Sequence, residues 1–309
     1  MIPIGIMLAG CQSWQVNRLG DRMSPSNQRD WSPSQQVLPL CHIEEEQVTV
    51  SNIRRCDYLN AHDYVVGHYD RTFSIGSIQT VDFIVIHSND TPSVSHTMLS
   101  FGLHEGSYLC VSIEGRTEKN EPYLPLLSIS RKYEITYVIG DEADLIGSRS
   151  LQPGVKINVY PSTATPEQSQ ALFLDVMGRV NKLLTKPEFY DPLINSNKTN
   201  LTEHINSMQP GTIPFGWDAL LPGFSAKHAY DLGLIDNSVS FESLKLLTDV
   251  TELANQHYDT PEFSAKIRRR MDSIDRLATR NELRDERINS RSSQYLRQQM
   301  ETPSNEFWR

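Results

Sequence analysis

His96 stands in SVSHTMLSFGL, a few residues after Pro92, and Glu114 follows in SIEGRTEKNE. An imidazole with a carboxylate in reach supplies the base and the orienter of a nucleophile–base–orienter site. HTMLSFGL and SYLCVSIEG read as strands flanking a hairpin turn at His104-Glu105-Gly106-Ser107. Side chains alternate along a strand, so the loop length decides which ones meet. A three-residue loop pairs His104 with Tyr108 and puts Glu114 on the face of His96. A two-residue loop puts it on the opposite face. Arg116 lies on the same returning strand, and Glu114 with Arg116 also suits a plain surface cross-strand pair. A lone His at a strand start equally suits a structural role.

A second candidate lies in YDPLINSNKTNLTEHIN, residues 190–206. Tyr190 precedes a crowd of small polar residues at Asn195, Ser196, Asn197, Lys198, Thr199 and Asn200, and the helix-like LTEHINSM follows. Asn and Thr side chains accept from the free amides of a helix start. The same helix end favours negative charge. The stretch therefore reads either as a helix cap or as a cradle for a nucleophile.

The elements around these residues come in blocks. QVTVSNI alternates, VDFIVIHS is a buried-strand run, and YEITYVIG and VKINVYP complete the strand series. Helices follow. One opens at Thr165-Pro166-Glu167-Gln168, places Ala171, Leu172, Leu174, Val176, Val180 and Leu183 near helical spacing, and stops at Pro187. AKHAYDLGLI reads as a further helix. Consecutive strands followed by helices predict an α+β fold, an antiparallel sheet with packed helices.

The 309 residues carry a formal net charge of −9, which argues against a general nucleic-acid binder. No apolar run approaches the roughly 20 residues that span a bilayer. No P-loop, dinucleotide fingerprint or metal-ligand spacing is present, so no cofactor and no metal are expected. MIPIGIMLAGC ends its short apolar run in Leu8-Ala9-Gly10-Cys11, which resembles a bacterial lipobox with Cys11 as the lipidated residue. The polar stretch behind it suits a tether. The remaining cysteines are Cys41, Cys56 and Cys110, and a Cys41–Cys56 bridge is an option that spacing does not decide. The organisation expected is signal and tether over 1–28, one domain over 29–263, and a charged helical tail over 264–309. That tail suits a solvated helix or a contact surface for lipid headgroups.

Several ordered stretches carry a family resemblance. Arg29-Asp30-Trp31, SNIRRCDY, HDYVVGHYDRTFSI, HTMLSFGLHEGSYLCVSIEGRTEKNEPY, YEITYVIGDEADLIGSR, PEFYDPLINSNKTN and TPEFSAKIRRR resemble the bacterial DUF4105 family, also called the Lnb N-terminal periplasmic domain family. The resemblance runs from about Arg29 to Arg269. It implies a circularly permuted papain-like fold of the NlpC/P60 type, in which the His precedes a Cys at a helix N-terminus. On that basis His96 is the base and Glu114 an orienter, and Arg116, Tyr190, Asn197 and Thr199 are supporting or substrate-binding residues. The family's Asn-Cys-Thr turn falls on Asn197-Lys198-Thr199, so Lys198 stands where the nucleophile belongs. An amine attacking an acyl group ends in a stable amide, so this exchange removes cysteine-type turnover. The resemblance also implies a periplasm-facing cell-envelope protein, and the lipobox match a lipid anchor with the outer membrane favoured; envelope peptides, lipids and glycan-linked amides would all suit such an exported cleft as partners.

Three readings stand open: an impaired or altered hydrolase homologue, an active amide or ester hydrolase or acyltransferase with another nucleophile, and a structural lipoprotein. For the anchor, metabolic palmitate labelling in an expressing bacterium is expected to disappear with Cys11→Ser; unchanged labelling refutes it.

Overall fold

The computed structural model describes residues 24–60, 63–88, 95–121, 133–208, 212–213 and 226–271. Among them, eight strands form one sheet: β1 Leu40–Glu44, β2 Gln47–Tyr58, β3 Tyr64–Ser74, β4 Ile78–Ser88, β5 Ser95–Leu103, β6 Tyr108–Arg116, β7 Glu134–Gly140 and β8 Val155–Pro161. Their order is β1-β2-β7-β6-β5-β4-β8, with β3 also on β2. Every pairing is antiparallel except the short parallel contact of Arg54 in β2 with Gly140 in β7. Gly140 is required there, because a Cβ would stand 2.9 Å from the Arg54 carbonyl oxygen. The helices are α1 Pro33–Gln36, α2 Pro166–Thr185, α3 Asn197–Met208, α4 Ala226–Asp231, α5 Phe241–Leu247, α6 Thr251–His257 and α7 Phe263–Ile267. The α+β expectation is met.

Alternation along the strands gives the sheet two apolar faces. One carries Phe83, Leu99, Phe101, Val111 and Tyr137 and is covered by α2 and α3 through Phe173, Val176, Met177, Leu201 and Ile205. The other carries Ile84, Met98, Cys110 and Val138 and is covered by Leu145, Ile146, Ala254, Phe263 and Ile267. Burial of each such side chain contributes roughly 1.5–3 kcal/mol. α2 starts where its cap signal predicts, with Thr165 and Gln168 exchanging hydrogen bonds as a capping box ahead of the buried stripe. Leu174, counted in the expected stripe, is instead exposed.

Buried arginines hold the periphery to the sheet. Arg54 grips Asp144 with Nε at 2.9 Å and Nη2 at 2.8 Å, and its Nη1 donates to the Ser34 carbonyl at 3.0 Å. Asp144 also accepts from the Cys56 amide and the Tyr58 hydroxyl, both at 2.9 Å. It belongs to a π-helical turn, Ala143–Gly147, that runs into a helical turn at Ser148–Ser150. Arg116 donates to the Gln35 and Gln36 carbonyls, both at 2.8 Å, and stacks 4.2 Å from the Trp31 ring centroid. Arg268 donates to Glu142 and to Asp82, each at 2.7 Å, and lies 3.5 Å from the Tyr108 ring centroid.

Packing extends past both ends of the expected domain, and it bears on the cysteines. Residues 24–28, expected in the tether, and the polar residues 29–36 behind them are strapped to the sheet: Trp31 is buried and Asn27 donates to the Leu183 and Leu184 carbonyls. Packing also continues past residue 263, where Ile267 is wholly buried and Arg268 closes an ion cluster. The expected tail from residue 272 onward, together with Cys11 and its lipobox, lies outside the described residues. Cys41 and Cys56 are free and buried. Cys41 faces Val50 across the β1–β2 ladder, six residues from Cys56 along β2. Six residues of strand span about 20 Å, far beyond disulfide reach.

Replacing Asp144 by Asn leaves the Arg54 charge buried without its partner. Urea unfolding is expected to show a loss of roughly 3–5 kcal/mol, with much of it recovered in the Arg54→Met/Asp144→Leu double variant. A loss under about 1 kcal/mol refutes the role given to this pair.

Candidate functional site

The β5–β6 hairpin closes through the three residues His104–Gly106. Leu103 donates its amide to the Ser107 carbonyl at 2.8 Å, and Gly106 takes the left-handed φ of 83° that such a loop requires. Gly102 therefore faces Tyr108, and Met98 faces Ser112. Tyr108 thus pairs two residues away from the His104 partner expected, so the parity is the same. His96, Ser112 and Glu114 therefore share a face.

These three side chains form a relay. Glu114 Oε1 lies 2.8 Å from Ser112 Oγ, and Ser112 Oγ lies 2.7 Å from His96 Nε2. Arg149 Nη2 donates to Glu114 Oε1 at 2.9 Å and Gln35 Nε2 donates to Oε2 at 2.8 Å. Burial opposes the Glu114 charge, yet Arg149, Arg54 and His96 outweigh it and hold the carboxyl down at about 2. An ionised carboxylate only accepts, so Ser112 gives its proton to Glu114. Its oxygen then accepts from His96 Nε2–H. That fixes the tautomer with Nδ1 as the bare, basic nitrogen. Burial and the nearby Arg149 press the imidazole down to about 4, against the upward pull of Glu114. His96 is thus neutral at neutral pH, the form a general base needs. Ser112 is wholly buried and serves as a link in this chain.

The β5–β6 ladder ends at Met98–Ser112, although β5 stays paired with β4 back to Ser95 and β6 with β7 on to Arg116. The strands part like a fork. Asn197, the first residue of α3, enters the opening from the other face of the sheet. Its Nδ2 donates to the Thr97 carbonyl at 2.8 Å and the Ile113 carbonyl at 3.1 Å. These carbonyls belong to the two strands where they have parted, one on each side of the opening. α3 itself starts because Ser196 and Thr199 bond reciprocally: Ser196 N donates to Thr199 Oγ1 at 2.8 Å, and Thr199 N donates to Ser196 Oγ at 3.4 Å.

A cavity of about 500 Å³ occupies the fork. His96, Glu114, Tyr190 and Asn197 line it together, as do Gln35 and Arg149, while Ile86, Ile113 and Val155 supply apolar wall. Of the residues singled out from sequence, Lys198 is half-buried beside Asn197 but is not part of this lining. Thr199 is buried in the helix cap. Arg116 belongs to the strap under Trp31 and not to the cavity. The sequence reading missed Ser112, Gln35 and Arg149. Ser112 was within reach of the same alternation that linked His96 with Glu114; Gln35 and Arg149 come from distant segments with no local signal. None of Cys41, Cys56 and Cys110 lines the cavity, and burial raises the Cys110 thiol well above its usual range. Among the described residues, no cluster of His, Cys, Asp or Glu is arranged to hold a metal ion.

The architecture is a sheet with helices on both faces and a polar cleft opened by the splitting of two strands. A sequence model of the Lnb N-terminal periplasmic domain matches residues 66–223, just over half of the chain. The chain belongs to this family. The matched segment holds β4 to β8, α2 and α3, and hence His96, Ser112, Glu114, Arg149 and Asn197. Membership fits a periplasm-facing envelope protein, and among the described residues no helix is long and apolar enough to cross a membrane. No curated protein and no solved structure matches the chain.

The relay is open to titration. Both groups bind protons less readily in the folded chain than in the unfolded one. Stability is therefore expected to fall as pH drops from 6.5 to about 4 through His96, and from 4.5 to about 2 through Glu114. In a nitrogen-15 NMR titration, His96 should carry its proton on Nε2 and titrate near 4; Glu114→Gln should move it lower still. A His96 midpoint at or above its ordinary 6.5 refutes the assignment.

Proposed function

We propose that this chain is an impaired homologue of permuted papain-like hydrolases, an envelope-facing protein whose cleft binds an amide or ester without turning it over. The observation that carries the reading is the cleft itself. It holds a neutral His96 oriented by Ser112 and Glu114, next to the first residue of α3, and no thiol among its lining residues. Lys198 occupies the place that the family resemblance gives to a cysteine. The base half of a catalytic site is thus retained while the nucleophile is exchanged for a group that would trap itself as an amide. Envelope peptides, lipids and glycan-linked amides are the substrate classes this reading allows. A lipid on Cys11 would hold the protein at the membrane.

Wild-type protein is expected to show neither turnover of small amides and esters nor labelling of the cleft by a fluorophosphonate. Labelling that is lost with His96→Ala would instead establish a working nucleophile. Lys198→Cys, with the other cysteines changed to Ser, tests the inherited position. Helix N-termini and nearby bases bring thiol pKa values from about 8.5 down to roughly 3.5–7.5. At pH 6 this thiol should therefore react with iodoacetamide faster than in the denatured chain, and His96→Ala should slow it. A folded rate no faster than the denatured rate leaves the turn as a helix cap alone.

A further inference from the structure

Arg149 differs from four other arginines that hold the fold together. Arg54, Arg116, Arg179 and Arg268 each donate from Nε, Nη1 and Nη2 to side chains or carbonyls of the fold. Among the described residues, Arg149 donates only from Nη2, to Glu114. Its side chain is 31% exposed, and Arg149 is among the residues that line the fork cavity. Nε and Nη1 are left with hydrogens and no acceptor in the described protein. A guanidinium two-thirds out of water gains from a partner for those donors.

The surroundings narrow what that partner is. Glu114 already offsets one unit of positive charge and His96 is neutral, so each further negative charge costs more and a multiply charged anion fits worse than a singly charged one. A flat, singly charged carboxylate matches a guanidinium edge through two parallel hydrogen bonds. A second carboxylate on one arginine is an arrangement this chain already builds, since Arg268 holds Asp82 and Glu142 together. Ile86, Ile113 and Val155 give the rest of the ligand an apolar wall, with Asn197 and Gln152 as polar points. A volume of about 500 Å³ admits a fragment of a few residues.

We propose that the cleft recognises a peptide-like ligand by a free carboxylate seated on the unoccupied edge of Arg149, beside the His96 relay. This rests on the cleft reading above and adds to it the group by which the ligand is held. Arg149 is then a binding residue as well as the partner that orients Glu114.

The test uses the whole chain and three small probes: N-acetyl-dialanine with its free acid, the same compound as its C-terminal amide, and ethyl phosphate. Binding is followed by calorimetry and by the NMR shift of His96. The acid should bind saturably and at least about tenfold more tightly than the amide, the scale of a charge-assisted bond. Arg149→Gln should erase that preference. Arg149→Lys, which keeps the charge but not the fork, should weaken acid binding by a similar factor. Circular dichroism and thermal melts check that each variant folds. If Arg149→Gln fails to fold, the Lys variant and the acid-to-amide ratio in the wild type decide. Equal binding of acid and amide overturns the carboxylate inference while leaving the cleft reading in place. Preference for ethyl phosphate, unchanged acid binding in Arg149→Lys, or no saturable binding of the acid each overturns it too. The alkylation rate of Lys198→Cys does not depend on any of these outcomes.

Discussion

The guanidinium of Arg54 is the joint around which the cleft is assembled. Through Ser34 it fixes the segment that carries Gln35, and through Asp144 it fixes the turn that leads to Arg149. Gln35 and Arg149 are the two groups that hold Glu114. The carboxylate that orients His96 is therefore set by a residue that does not touch it. Burying such a pair is weak as a source of net stability and strong as a source of uniqueness, because any other arrangement strands a charge. The energy spent on Asp144 is returned as geometry in the relay.

The second constraint is the parting of β5 and β6. A continuous sheet would separate His96 from α3, since one rises from one face and the other packs against the opposite face. Ending the ladder early opens a passage between the faces but exposes carbonyls. One amide group from Asn197 satisfies two of them, so the opening persists without orphaned acceptors. The polar turn before α3 thus has two structural tasks, to start a helix and to close a seam, whatever chemistry its neighbours do.

Local signals made much of this legible from the sequence. The strand runs over 81–88, 96–103 and 155–161 and the capped helix at Thr165 announce themselves by alternation, β-branched residues and turn chemistry. The pairing of His96 with Glu114 followed from counting faces once a loop was assumed. The straps did not follow. Residues 24–36 look like a linker because they are polar and contain Ser and Pro. Their anchoring comes from Trp31, Gln35 and Asn27 meeting residues far along the chain. Arg268 sits in a run of charges that reads as solvated, and only the distant Asp82 and Glu142 explain its burial. The reading of Lys198 as an exchange rests on the family resemblance alone, since nothing in its spacing marks a site.

The clasp formed by Arg268 ties folding to the direction of synthesis. Asp82 and Glu142 sit in strands and turns made early, and their shared counter-charge is among the last parts of the described chain to be made. Until that arginine emerges, closing the sheet face over Asp82 and Glu142 would bury two uncompensated carboxylates, which strongly disfavours the closed state. A layer whose counter-charge lies at residue 268 closes at least cost once that residue has been made, so its stability is drawn from segments 186 and 126 residues apart in sequence.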